Sequence, residues 1–192
     1  MKKNIIIAGV DEVGRGSWIG PVFSAAVILN NNIDKKLIKD SKKISYKTRL
    51  RLSNYIKANS KFSIGTASVK EIEKKNILQA TLLSMNRAIN KLNKKPDLIL
   101  VDGNQVPKTN KIKIKSIVKG DETIPSISAA SIIAKVARDK HIKNLSKKFK
   151  KYSWDTNFGY GTKKHQEALK KFGVTRHHRK TYKPIHNILL KN

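Results

Sequence analysis

Residues 5–29 read IIIAGVDEVGRGSWIGPVFSAAVIL, and their pattern decides the fold class. Ile5 to Val10 make a short apolar run bounded by charge, which suits a strand buried on both faces. Val22 to Leu29 make a second strand, with Pro21 at its start, where a missing N–H does least harm. Between them lie Asp11-Glu12 and the glycine-rich GRGSWIGP. A third strand is expected at 62–69 (FSIGTASV) after the polar turn NNNIDKK.

Further along, Ile77, Leu78, Leu82, Met85, Ala88, Ile89 and Leu92 recur at helical spacing and predict an amphipathic helix over 76–93, ended by Pro96. Asp97 to Val101 form a strand that runs into Asp102-Gly103, and IKIKSIV at 112–118 alternates as another. Ser126 or Ser128 can cap a helix from about 129 to 149, with Ala129, Ile132, Ile133, Val136 and Ala137 inward. Residues 163–172 form a short helix stopped by Gly173. Strands alternating with helices predict an α/β layered domain with a mixed central sheet. A length of 192 residues suits one domain, and neither an internal repeat nor a long linker divides it.

The chain carries 42 Lys and Arg against 13 Asp and Glu, a formal net charge of +29. Two sources can supply that excess: a polyanionic partner, or a compositional bias toward Lys, Asn and Ile. Cysteine is absent, which excludes disulfides, thiolate catalysis and cysteine-based metal sites. No apolar run reaches the roughly 20 residues that cross a bilayer. The apolar stretch after Met1-Lys2-Lys3 is too short for a signal peptide and is interrupted by Asp11-Glu12, so a cytoplasmic protein is expected.

Few acids make each one informative. Asp34 lies in a polar turn, Glu71 and Glu73 sit near a helix start, and Glu167 lies among lysines on a short helix. Asp11, Glu12 and Asp102 instead end apolar strands, and Asp121 follows the strand-like 112–118 and a glycine. Sites in α/β sheets gather at the carboxyl ends of strands. Carboxylates collected there repel one another unless cations join them, and hard oxygen donors without cysteine point to Mg²⁺ or Mn²⁺. A single acid at a turn more often caps it or pairs with a lysine; three separate strand ends in an acid-poor chain favour ligation. Glu122 competes with Asp121 for that place, and Asp139, inside the predicted helix, reads as structural. No HExxH-type spacing joins the five histidines, and His165 and His178 read as packing or capping residues. Trp18 and Trp154 read as core or loop anchors.

The stretch GVDEVGRGSWIGPVFSAAVIL resembles the opening of type II ribonuclease H (RNase HII). Similar in the same order are Asp40-Ser41-Lys42-Lys43, Val101-Asp102-Gly103-Asn104, Lys119-Gly120-Asp121, SISAASIIAKVARD at 126–139, Gly159-Tyr160-Gly161-Thr162 with His165, and His178-Arg179. The sibling type III enzymes usually carry Gly-Thr-Gly in the loop and an added N-terminal domain; Arg15 and the start at Met1 argue against them.

The resemblance implies an RNase H-like fold in a single catalytic domain over 1–192, with about 150–192 a helical, substrate-contacting C-terminal extension. It implies endonucleolytic cleavage of the RNA strand of RNA–DNA hybrids, and nicking 5′ of ribonucleotides embedded in duplex DNA, as in ribonucleotide excision repair. Asp11, Glu12, Asp102 and Asp121 would be the catalytic, metal-binding carboxylates for two Mn²⁺ or Mg²⁺ ions. Gly14, Arg15 and Gly16 would read the ribose 2′-OH, Tyr160 would stack on the next sugar, and Lys42 and Lys43 would contact phosphate. The products would be a 5′-phosphate and a 3′-hydroxyl.

Asn157-Phe158 replaces the family's usual His-Lys, and Thr181-Tyr182 the more usual Ser-Phe. The segment IHNILLKN lacks the glutamine and paired aromatics of a sliding-clamp box, and a monomer is expected. Two rivals remain. A non-catalytic basic binder explains the charge but not the acids at strand ends, and another RNase H-fold nuclease such as a resolvase explains the acids but not the Gly-Arg-Gly loop.

Overall fold

Strands β1 (Ile7–Val13), β2 (Val22–Leu29), β3 (Ser60–Ala67), β4 (Leu98–Asp102) and β5 (Lys113–Ile117) form one sheet in the order β3-β2-β1-β4-β5. The computed structural model describes residues 5–38, 44–109 and 112–190. β1, β2 and β3 pair antiparallel, whereas β4 runs parallel to β1 and β5 parallel to β4, so the sheet is mixed as the alternation of elements predicts. The helices are α1 (Tyr46–Ala58), α2 (Val69–Lys75), α3 (Ile77–Asn90), α4 (Gly120–Thr123), α5 (Pro125–Ser146), α6 (Trp154–Asn157), α7 (Lys163–Phe172) and α8 (Lys183–Leu189). None of them is long and apolar enough to cross a membrane.

The period of two along the strands sorts the core into two layers. Ala8 and Val10 of β1, with Ile99 and Val101 of β4, pack against Met85, Ala88 and Ile89 of α3. Ala25 and Val27 of β2 face the other way, toward Ile132 and Ile133 of α5 and Ile56 of α1. Gly9 sits where α5 crosses β1 most closely: a Cβ there would lie 2.1 Å from the Ser126 carbonyl carbon. Gly65 has the same role on the opposite face, with the Ser84 carbonyl oxygen of α3 2.1 Å from such a Cβ. The sheet is therefore held between two helix backbones that leave no room for a side chain at either crossing.

Several boundaries differ from expectation. The long helix begins at Pro125, so Ser126 and Ser128 lie inside it rather than capping it. Proline at the first position needs no N–H donor, and a side-chain cap is dispensed with. The Ser128 hydroxyl instead donates to the Asp121 carbonyl. β3 runs two residues earlier than the apolar pattern suggests, because Ser68 serves as the N-cap of α2 in a capping box with Glu71. Helix α1 was not foreseen; it buries only Ser53 and Ile56, too thin an apolar face to stand out.

A third cluster, Ile19, Ile142, Tyr152, Trp154, Ala168, Leu169 and Ile185, joins the far end of α5 to α6, α7 and α8. Ile19 belongs to the glycine-rich segment and bridges to His178. Beneath it, Trp154 Nε1–H donates to His165 Nε2 at 3.0 Å, so the proton of His165 resides on Nδ1 and reaches the Tyr160 carbonyl, 3.0 Å away. The Thr175 amide donates to His178 Nδ1 at 2.9 Å, which leaves the His178 proton on Nε2, facing His165 Nε2 at 3.2 Å. Both rings are fully buried and neutral, and a second proton on either would meet an N–H donor.

Two expectations follow from this packing. Gly9→Ala should cost at least about 3 kcal/mol, the upper end for overpacking, because backbone meets the new methyl. That corresponds to a melting point lowered by about 6 to 12 °C in a chain of this size, and a drop below about 2 °C would contradict the close crossing. Burial pushes the His178 imidazole down to about 3, and its neighbour His165 adds to the shift. An unfolded histidine titrates near 6.5, so below that pH the unfolded chain binds a proton that the fold refuses. Stability from His178 should be complete above about pH 6.5 and fall by about 1 kcal/mol per pH unit toward pH 5. Thermal melts across that range check it; a melting point flat between pH 7 and 5 would contradict the neutral pair.

Candidate active site

Register places the first two carboxylates. β1 and β4 are parallel, with Gly9 opposite Leu100 and Val10 opposite Val101, so Asp11 and Asp102 follow as neighbours at the same end of the sheet. Val10 and Val101 point into the layer beneath α3, which turns Asp11 and Asp102 to the opposite face, toward α5. The third arrives through the turn after β5. Lys119 adopts a left-handed conformation, and the Gly120 amide donates to Asp102 Oδ1 at 2.8 Å, drawing the start of α4 against the end of β4. Asp11, Asp102 and Asp121 thereby bring one carboxylate oxygen each within 4.8 Å of one another.

Asp11 and Asp121 are buried, while Glu122 beside Asp121 is exposed, and among the described residues it is Asp121 that joins the group of three. Glu12 lines the same cavity without joining the group of three; its Oε1 lies 3.4 Å from Arg15 Nη1. The cavity measures about 310 Å³ and is open to solvent. Burial, then the neighbouring charges of Glu12 and Asp102, push the Asp11 carboxyl well above its ordinary range, and the Ser131 hydroxyl hydrogen-bonds it in partial compensation. Burial also raises Glu12, with Arg15 opposing the shift.

These groups suit a hard divalent cation. The donors are all carboxylate oxygens, they are crowded and partly buried, and their mutual repulsion is relieved most directly by positive charge among them.

The Gly-Arg-Gly loop follows β1 directly. Gly14 is buried with φ +96°, and a Cβ there would lie 2.2 Å from Arg138 Nε, whereas Arg15 and Gly16 are exposed. Arg138 is fully buried in α5; it donates to the Ile19 carbonyl at 3.3 Å and to the Phe158 carbonyl at 3.2 Å. Its guanidinium carbon stands 5.6 Å from the centre of the half-exposed Tyr160 ring. The loop and Tyr160 are thus tied to one side chain. Lys42 and Lys43 lie outside the described residues.

Asn157 faces inward, donating to the Tyr152 carbonyl at 2.8 Å and accepting from the Gly159 amide at 2.7 Å, so it shapes the turn that presents Tyr160. Trp154 is fully buried, as the reading of a core anchor expects. Asp139 is buried and accepts from Lys135 Nζ at 2.8 Å on its own helix, a structural partnership.

Sequence reading missed Arg49, Ser131 and Lys135 as lining residues of the cavity. Ser131, Lys135 and Asp139 recur at four-residue spacing on one face of α5, a signal that was available. Arg49 lies on the unforeseen α1 and offered none.

Comparisons with known proteins agree with this geometry. A family model described as Ribonuclease HII matches residues 8–186. A curated relative from Pelagibacter ubique (strain HTCC1062), named Ribonuclease HII, is 62% identical over 184 residues that cover 96% of this chain and 99% of the relative. The ribonuclease H2 structure from Pyrococcus horikoshii OT3 superposes with a TM-score of 0.82 at 26% identity, covering 96% of this chain and 97% of that one. The RNase HII of a PCNA complex from Archaeoglobus fulgidus superposes with a TM-score of 0.78 at 26% identity, covering 93% and 96%. The expected RNase H-like fold is therefore the fold observed. Since the matched span runs from the first strand through the acidic cavity and into the last helix, the chain belongs to the ribonuclease HII family, metal-dependent hydrolases that cut endonucleolytically within RNA paired with DNA.

Proposed function

We propose that the chain, besides cutting the RNA strand of hybrids, nicks duplex DNA on the 5′ side of an embedded ribonucleotide and leaves 5′-phosphate and 3′-hydroxyl ends. The observation that carries this reading is adjacency: an exposed glycine-flanked loop begins one residue after the strand that supplies Asp11 and Glu12. The 2′-OH is the chemical mark that separates RNA from DNA at a site. Gly14, Arg15 and Gly16 read it through backbone, which carries no information about base identity, so cleavage is nearly independent of sequence.

Asp11, Glu12, Asp102 and Asp121 would hold two divalent ions, Mg²⁺ or Mn²⁺, together with substrate phosphate. Such ions supply activation of water and neutralisation of charge at the departing 3′ oxygen. The protein's own part is to keep the carboxylates in place: the Gly120 amide fixes Asp102 and the Ser131 hydroxyl fixes Asp11. Tyr160 stacks on the sugar beyond the cut and favours deoxyribose there, which selects the junction of a single ribonucleotide with DNA. Lys42 and Lys43 contact phosphate.

Residues 1–192 act as a single catalytic domain in which about 150–192 form a substrate-contacting extension; its support is that Tyr160 is presented from that segment. The surplus charge of +29 supplies sequence-independent affinity for the duplex. The segment IHNILLKN has neither a glutamine nor paired aromatics, which supports action without a sliding-clamp tether. We read the enzyme as a cytoplasmic monomer.

Asp102→Asn should lower hybrid cleavage by at least about 100-fold while hybrid binding survives, since losing a ligand costs no less than losing its support. Single-turnover cleavage and a binding titration check it, and wild-type turnover in the variant would remove Asp102 from the metal site. A DNA duplex bearing one ribonucleotide should be nicked in Mg²⁺ or Mn²⁺ and left intact in EDTA. Tight binding without a cut in either metal would favour the non-catalytic binder.

A further inference from the structure

We infer that Arg179, together with Tyr182, is a positioning residue: it sets the orientation of the peptide unit between Arg15 and Gly16 and so aims the Gly16 N–H at the substrate. This rests on the reading of the Gly-Arg-Gly loop as the 2′-OH reader and names what gives that loop its direction.

Arg179 is fully buried, and its donors go to the carbonyls of one segment. Nη1 donates to the Arg15 carbonyl at 2.8 Å, Nε to the Gly20 carbonyl at 3.0 Å, and the backbone amide to the Trp18 carbonyl at 2.8 Å. The Tyr182 hydroxyl accepts from Arg179 Nη1 at 2.8 Å and donates to the same Arg15 oxygen. Two donors thus hold a single carbonyl inward. In a planar trans peptide the C=O and the following N–H point to opposite sides. All the peptide bonds described are trans, so an inward Arg15 carbonyl turns the Gly16 N–H outward.

The space on that outward side is open. A Cβ on Gly16 would meet nothing within 4 Å, in contrast to Gly14, where one would collide with Arg138. No acceptor among the described residues takes the Gly16 amide. Packing therefore demands the first glycine of the loop and not the second. What needs a bare backbone at Gly16 is a molecule that approaches it from outside, a ribose hydroxyl on the reading above.

Arg179 is also a costly way to gain stability. Among the described residues no carboxylate pairs with it, and its Nη2 is buried without a hydrogen-bond partner. An apolar side chain of similar volume would fill the same place without that penalty. What the arginine side chain contributes is the direction it gives two carbonyls, those of Arg15 and Gly20.

The test compares kcat/KM on a duplex bearing one ribonucleotide with the inhibition constant of the all-DNA duplex of the same sequence. The first depends on the 2′-OH and the second does not. Tyr182→Phe keeps the ring and removes one of the two donors. It should lower kcat/KM by about fivefold, the worth of one hydrogen bond, with the all-DNA inhibition constant unchanged. Arg179→Lys, which retains a donor, should fall between wild type and Arg179→Met, which has none. Values of kcat/KM unchanged in Tyr182→Phe and Arg179→Lys would overturn the inference, and so would an equal weakening toward both duplexes, which marks a general loss of fold. Failure of the wild type to cut the ribonucleotide duplex would overturn the 2′-OH reading itself; a wild type that cuts, with variants unaffected, overturns the positioning role alone.

Discussion

Like charges forced together at the end of two parallel strands are the constraint on which the rest of this structure depends. Parallel pairing of β1 with β4 makes Asp11 and Asp102 neighbours, and the turn into α4 adds Asp121. Nothing in the apolar layers beneath favours that crowding; burial and repulsion both drive the Asp11 carboxyl toward its protonated form. The fold withstands it with stiff surroundings. Helix α5 lies so close on β1 that Gly9 has no room for a methyl, and the Gly120 amide and Ser131 hydroxyl direct their hydrogen bonds to the acids. A cavity of this kind gains from a cation whatever the cation is, which fits a family of metal-dependent hydrolases.

Around that cavity the chain uses arginines in an unusual place. Arg138 and Arg179 are both fully buried, and both donate hydrogen bonds to backbone carbonyls, with none to a carboxylate among the described residues. Burial lowers both guanidinium groups from their ordinary value, Arg138 to about 10, yet leaves Arg138 cationic at neutral pH. Carbonyls drawn toward two fixed cations give the glycine-rich loop and the Tyr160 turn one shape. Below them the neutral His165 holds the Tyr160 carbonyl with an Nδ1 proton placed by Trp154, while the Thr175 amide keeps the proton of His178 on Nε2, facing His165.

Much of this was legible in the sequence because the decisive signals are local. The apolar runs at 5–10 and 22–29 and the strand into Asp102 carry their own boundaries, and an acid at a strand end is conspicuous where there are only 13 acids. That Asp121 and not Glu122 lies beside Asp11 and Asp102 is visible only in the structure, since both acids follow Gly120 and the turn from Lys119 buries the first. Helix α1 was missed because its buried face is two residues wide. The lining residues Ser131 and Lys135 were visible as a four-residue spacing but read as ordinary helix. The bonds from Arg179 to the carbonyls of residues 15 and 20 join positions more than 150 apart in the chain, and no local pattern encodes such a pairing.

That last pairing has a consequence for synthesis. β1 and β2 are adjacent hairpin partners and can associate soon after residue 29 emerges. The loop between them cannot take its final shape until Arg179 and Tyr182 arrive to hold the Arg15 carbonyl. A nascent chain can therefore hold its first two acids long before the loop beside them takes its shape. On the proposed reading of that loop, the surface that tells one sugar from another is complete only when residues 179 and 182 have joined the first two strands.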